Sequence, residues 1–161
     1  MTDGQTPRAG VFEIRPAAPR FQALGLATYY LSHRKPFSDM QAGSLVPTVD
    51  GQIRRGHALI AFEGSRVVGY LGWSLYTIEE ALSFARTGQA PANATRDHGD
   101  VVWVTTVAAN ERRVLFALAR EARRRNEGRS LMAIRVYRNG QQRVLPPTLI
   151  VPWGAGAGGD G

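Results

Sequence analysis

The stretch GHALIAFEGSRVVGYLGWSLYTIEEA, residues 56–81, decides the fold. It holds two apolar runs, 57–63 and 66–76, joined by Gly64-Ser65. Gly-Ser between β-rich runs is a tight-turn signal, so the stretch predicts an antiparallel hairpin. Thr77 follows the second run and is the expected cap of a short helix through Arg86, with Ile78, Ala81, Leu82 and Ala85 on one face.

Working outward, Val11–Arg15 reads as a short strand. Phe21, Leu24, Thr28 and Leu31 recur at helical spacing and predict a helix to about Ser32. Ser38 is the expected cap of a second helix reaching Arg55, broken or kinked at Pro47 and ended by Gly56. Residues 87–100 form a polar loop without periodicity, and Val101–Ala108 is a buried strand by its β-branched content. Asn110 is the expected cap of a helix to about Asn126, with Gly128 just beyond. Ser130–Arg138 reads as a strand, Asn139-Gly140 as a turn and Gln142–Val151 as a return strand, made an edge by Pro146 and Pro147.

The order β-α-α-β-β-α-β-α-β-β points to an α/β fold with one mixed central sheet flanked by helices. The expected domain spans residues 10–152, with tails at 1–9 and 153–161. At 43% hydrophobic and 20% charged residues, the 161-residue chain has an ordinary globular composition. Its apolar runs fall short of the roughly 18 residues a membrane helix needs. The first residues lack a basic-then-apolar leader pattern, and a cytoplasmic location is the expectation. With no cysteine, thiolate metal sites and a cysteine nucleophile are excluded. Three histidines without ligand spacing give no zinc site.

The net charge is +7, and among 20 basic residues only Lys35 is lysine. Arginine-favouring codon usage accounts for this; avoidance of self-modification by an enzyme handling activated acyl groups is the alternative. The helix 110–126 concentrates the charge. Val114, Leu115, Leu118 and Ala122 form its apolar stripe, and Arg112, Arg113, Arg120, Arg123 and Arg124 lie opposite, around Phe116. Glu111 and Glu121 fall toward the apolar side, so the arginine face is expected to lack carboxylates. It is either a solvated face or a dock for an acidic partner with Phe116 as anchor. Nucleic acid is the weakest reading, since only Phe116 interleaves with the arginines and no nucleic-acid motif accompanies them. There is no phosphate-cradling Gly-x-x-x-x-Gly-Lys and no Gly-x-Gly-x-x-Gly.

Several short segments carry a resemblance: Arg34–Phe37, Ile53–His57, Val67–Trp73, Gly99–Trp103 and Ala133–Val136. In order and spacing they resemble the lysine acyltransferases that activate RTX toxins, of the haemolysin-C type, over roughly residues 22–145. The resemblance implies a GNAT-like fold, in which a mixed sheet splays and the acyl donor enters the gap. It implies a fatty acyl group moved from acyl carrier protein to lysines of a co-produced protein, with no tightly bound cofactor. The family's histidine falls here on Ser38 and its aspartate on Thr106. His33, in the same inter-helix segment, is then the candidate base and Thr106 a polar aid to the thioester. Arg112, Arg113, Phe116, Arg120 and Arg124 would dock the carrier. Arg135 would pair structurally or bind the donor phosphate. Trp73 would pack in the core or line an acyl tunnel. The coenzyme A loop usual in GNAT proteins is replaced by Ala108–Arg112, which agrees with a carrier-protein donor. The same fold with lost chemistry, holding an acidic protein or a lipid, is the alternative, and oligomeric state is left open.

Overall fold

The computed structural model describes residues 10–136 and 142–149, with side chains as far as residue 133. Six strands form one sheet in chain order: β1 (Glu13–Pro16), β2 (Ala58–Glu63), β3 (Arg66–Tyr76), β4 (Val101–Ala109), β5 (Ser130–Val136) and β6 (Gln142–Leu149). Every neighbouring pair is antiparallel except β4 and β5, which run parallel. A parallel pair needs a crossover, supplied by the helix α4 (Arg112–Arg125). The expected mixed α/β sheet is therefore the observed fold. β6, carrying Pro146 and Pro147, is an edge strand as the prolines required. The Asn139-Gly140 turn, Arg138 and the tails 1–9 and 153–161 lie outside the described residues.

Helices cover both faces. α1 (Arg20–Ser32) and α2 (Ala42–Arg54) lie on one face, where Ala27, Leu31, Leu45 and Val49 pack on Ile60 and Tyr70. α3 (Ile78–Thr87) continues that face over Tyr76, Trp103 and Met132. α4 covers the other face through Val114, Leu118 and Ala122, packed on Leu59, Leu71, Trp73 and Val102. Gly69 allows α4 to lie close, because a Cβ there would sit 2.8 Å from both Leu118 and Val114.

Four local expectations change. The second helix begins at Ala42, with Ser38 in a separate 3-10 turn, Phe37–Asp39, and it continues through the exposed Pro47. α3 buries Ala81 with Phe84 and Ala85 packed beside it, while Ile78 and Leu82 are exposed. Its start is as read: Thr77 accepts from the Glu80 N–H and the Glu80 carboxylate accepts from the Thr77 N–H. Asn110 does not cap α4. Its Oδ1 accepts from the Tyr30 hydroxyl at 3.0 Å and from Arg34, so the end of α1 claims it, and Glu111 takes the cap position without a side-chain bond.

Candidate active site

Two irregularities in β4 build the site. First, β4 pairs with β5 only from Val101–Val104 against Ser130–Ala133. Beyond that, β4 continues to Ala109 bonded to β3 alone, while β5 stays with β6. The sheet therefore splits at Val104 and Ala133. Second, a bulge leaves Thr105 unopposed, since Gly72 pairs with Thr106 and Trp73 with Val104. A bulge resets the alternation of side chains. Thr105 and Thr106 thus fall on the same face, toward α2, where both hydroxyls accept from Gln52 Nε2, at 2.6 and 3.0 Å.

Gln52 is the centre of this face. It is 1% exposed, and its Oε1 accepts from the Tyr70 hydroxyl at 2.7 Å. Gly72 makes room for it, because a Cβ at that position would overlap the Gln52 side chain. Burial raises the Tyr70 hydroxyl far above its ordinary pKa, so it stays protonated and can donate to Gln52. Thr105 stands exposed at the lip of the split, whereas Thr106 is buried.

Cavities flank the split on both faces. On the α4 face, about 240 Å³ lies between Leu71, Val102, Val104, Leu115, Ala119 and Leu131. A second cavity of about 260 Å³ follows the end of β4 to the first residues of α4, and shares Val107 and Leu115 with the first. Together they form one apolar groove from the start of α4 down to the split. On the opposite face, about 220 Å³ is enclosed by Gln52, Arg55, Ser74, Tyr76, Phe84, Arg96 and Thr105, among others. Two guanidinium groups, an amide and hydroxyls line this cavity beside an apolar wall of Phe84 and Ala90.

The sequence-based candidates distribute unevenly over this geometry. Thr106 lies inside the Gln52 network, and the threonine at the split is its neighbour Thr105. His33 stands exposed after α1, its Nδ1 2.8 Å from the Tyr29 carbonyl and 3.2 Å from Ser32 Oγ. It occupies the C-cap of α1, and its ring turns back to the unsatisfied carbonyls of the last turn. It lines none of the three cavities, and the structure does not bring it together with Thr106. Trp73 is a core residue, 2% exposed, stacked on His57 at 5.6 Å on the α4 face. Arg135 belongs to β5, but its side chain is outside the described residues.

The arginine face is not free of carboxylates. Arg113 bonds Glu111 at 2.6 Å, donates to the Gly10 carbonyl and lies over the Phe12 ring. Arg124 bonds Glu121 at 2.8 Å, and Arg125 reaches the same carboxylate. These two arginines hold the Glu121 carboxyl down at about pKa 2. Glu121 flanks Arg124 and Arg125, three and four residues on and so neighbours on the helix surface, and Glu111 stands at the cap where Arg113 turns back to it. Arg112, Arg120 and Arg123 make no ion pair among the described residues. Arg112 leans toward Phe116, which is 59% exposed.

The fold has solved counterparts. The loading GNATL domain of CurA from Lyngbya majuscula superposes with a TM-score of 0.51 at 12% identity, over 80% of this chain and 67% of that one. A GNAT-family protein from Desulfovibrio desulfuricans gives 0.48 at 18% identity, over 80% and 77% of the two chains. An N-acetyltransferase from Staphylococcus aureus Mu50 gives 0.45 at 15%, over 79% and 83%. The chain has the GNAT fold. No protein-family model and no curated protein matches the sequence, so the likeness that is shown is one of fold. Among the described residues no helix is long and apolar enough to cross a membrane.

Proposed function

We propose that the protein is an acyltransferase that takes its acyl group from a thioester on a phosphopantetheine arm. The observation that carries this is the split of the sheet at Val104 and Ala133, reached by an apolar groove on one face and an arginine-lined cavity on the other. An extended thioester arm and its acyl chain match a narrow apolar groove. The groove begins beside Arg112, and Arg120 and exposed Phe116 lie on the same helix. A carrier protein with an acidic surface suits that helix better than free coenzyme A, because the cations are spread along it rather than gathered at one phosphate site. The acceptor in this reading is a lysine of a partner protein, entering from the α2 side.

Transfer joins the lysine nitrogen to the thioester carbon and breaks the carbon–sulfur bond. The leaving thiolate takes up a proton as the amine gives one up. Thr105 accepts from Gln52, which leaves its own hydroxyl hydrogen free to donate to the thioester oxygen at the split. Tyr76 lines the acceptor cavity with its hydroxyl kept protonated by burial, and the proton taken up by the departing sulfur is the one the amine gives up. The acceptor cavity has no carboxylate or imidazole among its lining residues. Glu111, on the donor side, is bonded to Arg113, which lowers its pKa and makes it a poor base. The amine must therefore arrive already deprotonated.

The test is transfer itself. Acyl carrier proteins loaded with chains of several lengths are mixed with the purified protein and the protein co-produced with it, and acceptor lysines are read by mass spectrometry. Acyl mass on lysines is expected, with kcat/KM rising toward the ordinary lysine pKa of about 10.4 rather than levelling near 7. A plateau near pH 6.5 that His33→Ala abolishes would restore His33 as the base. Carrier binding without transfer at any pH would reduce the fold to a binding module, the reading favoured by the separation of His33 from Thr106.

A further inference from the structure

The acceptor cavity holds a feature that acyl transfer does not require. Two guanidinium groups, Arg55 and Arg96, line it together. The Nε of each is buried without a hydrogen-bond partner. No ion pair ties either to a carboxylate among the described residues. Asp97, adjacent in sequence to Arg96, bonds His98 at 3.0 Å. Half-burying two like charges without an ion-paired carboxylate opposes folding. The strain is legible at Arg55, whose pKa is lowered first by burial and then by Arg96 and Arg54, against a smaller opposing pull from Tyr76 and Asp97.

Local structure nonetheless holds both arginines in place. Arg55 caps α2, and its guanidinium lies against Gly51, where a Cβ would come within 3.1 Å of it. Arg96 is the one non-glycine among the described residues with a positive φ, 64°. A long side chain in the left-handed region is uncommon and strained. The Leu75 N–H fixes it there by donating to the Arg96 carbonyl at 3.0 Å. Ser74, Tyr76 and Thr105 bring hydroxyls to the same cavity, and Phe84 and Ala90 give it an apolar wall.

We infer that this cavity binds a carboxylate, and that the acceptor therefore carries a carboxylate close to its nucleophilic amine. Paired guanidinium forks match a planar carboxylate, and hydroxyl donors satisfy its remaining lone pairs. A carboxylate monoanion also costs less to desolvate against Phe84 and Ala90 than a phosphate dianion does. The inference rests on the acyltransferase reading for the word acceptor, but the binding event does not require a donor. A lysine with an acidic neighbour would meet it, the acid seated between Arg55 and Arg96 and the amine directed to Thr105.

The experiment titrates succinate, acetate and inorganic phosphate into the full chain by calorimetry, without donor, and repeats this with Arg55→Met, Arg96→Met and Arg54→Met. Either cavity variant is expected to weaken succinate roughly ten- to a hundredfold, while Arg54→Met leaves it unchanged. Blocked Lys-Glu should compete with succinate and blocked Lys-Gln should not. Should a methionine variant fail to fold, Arg96→Lys, which keeps the charge and loses the fork, is expected to weaken succinate more than acetate. Phosphate binding tighter than succinate would overturn the carboxylate assignment. Carboxylate affinity that is absent, or indifferent to Arg55 and Arg96, would overturn the site. Transfer to lysines with no preference for an acidic neighbour would sink this inference and leave the acyltransferase reading standing.

Discussion

Replacing Gln52 with leucine tests whether its side chain organises the Thr105–Thr106 face. Leucine has nearly the same volume, so the change removes polarity rather than packing. Three hydrogen bonds go: one from the Tyr70 hydroxyl at 2.7 Å, and those to Thr105 and Thr106 at 2.6 and 3.0 Å. They are not equal. Tyr70 is 0% exposed, so its hydroxyl is left without an acceptor or water, which costs about 1–3 kcal/mol. Thr106 is 2% exposed and loses a donor, a smaller loss because its hydroxyl can rotate. Thr105 is exposed and water replaces the amide. Leucine returns part of this by burying an apolar side chain, and the net is a destabilisation of about 2 kcal/mol. With a urea slope of about 2 kcal/mol/M, the unfolding midpoint falls by about 1 M, followed by tryptophan fluorescence. The double variant Gln52→Leu, Tyr70→Phe removes the orphaned hydroxyl as well. It should recover about 1 kcal/mol relative to the sum of the single changes. An unchanged midpoint for Gln52→Leu, or strictly additive single changes, would refute the claim that this network holds the bulge.

Two further outcomes follow from the electrostatics. Burial, then Arg55 and Arg129, pushes His57 down from 6.5 to about 4, so the folded protein disfavours the imidazolium. The unfolded chain then binds the extra proton first: this contribution is complete above about pH 6.5 and is lost as pH falls toward 4. With partial exposure allowed for, it amounts to about 1–2 kcal/mol. His57→Phe should keep the stack on Trp73 and flatten the stability difference between pH 7 and pH 4.5; an identical acid limb in both proteins would show that His57 does not titrate there. On the arginine helix, Arg112→Glu with Arg120→Glu should weaken carrier-protein binding about tenfold at low salt and less at high salt. Arg113→Gln should leave that affinity alone, since Arg113 is engaged with Glu111 and the Gly10 carbonyl; equal losses in both variants would remove the distinction.

What the sequence made legible were features decided locally. The hairpin at Gly64-Ser65, the cap at Thr77 and the edge strand with Pro146 and Pro147 each depend on residues within a few positions. The site depends on register and on chain segments far apart. The bulge at Thr105 cannot be seen in a Thr-Thr pair, because a strand threonine reads the same on either face; it takes Gly72 opposite and Gln52 above to define it. Asn110 looks like a helix cap until Tyr30 and Arg34, on another element, compete for its oxygen. His33 is the histidine nearest the expected position in sequence, yet the end of its own helix holds its ring. The loop 87–100 has no periodicity to read, and it is the segment that delivers Arg96.

The two faces of the split divide the labour in a way that argues for direction. The α4 groove is apolar and meets solvent beside arginines on a helix surface; on the proposed reading an acidic carrier docks there and passes the neutral pantetheine end of its arm inward. The α2 cavity is small and is lined by two half-buried cations whose repulsion opposes folding. A ligand that neutralises them binds the folded state alone and is repaid by the repulsion it removes. That favours a charged acceptor on this face and disfavours an aliphatic chain. Exchanging the roles would put an acyl chain against two guanidinium groups and a carboxylate against leucine and valine, and both placements pay desolvation without a partner. Gln52 joins the arrangement to the chemistry, since it lines the acceptor cavity and holds Thr105 at the split. A carboxylate settling beside it therefore meets the same side chain that orients the hydroxyl for the thioester. On the proposed reading, acceptor binding and alignment of the donor are coupled through one amide.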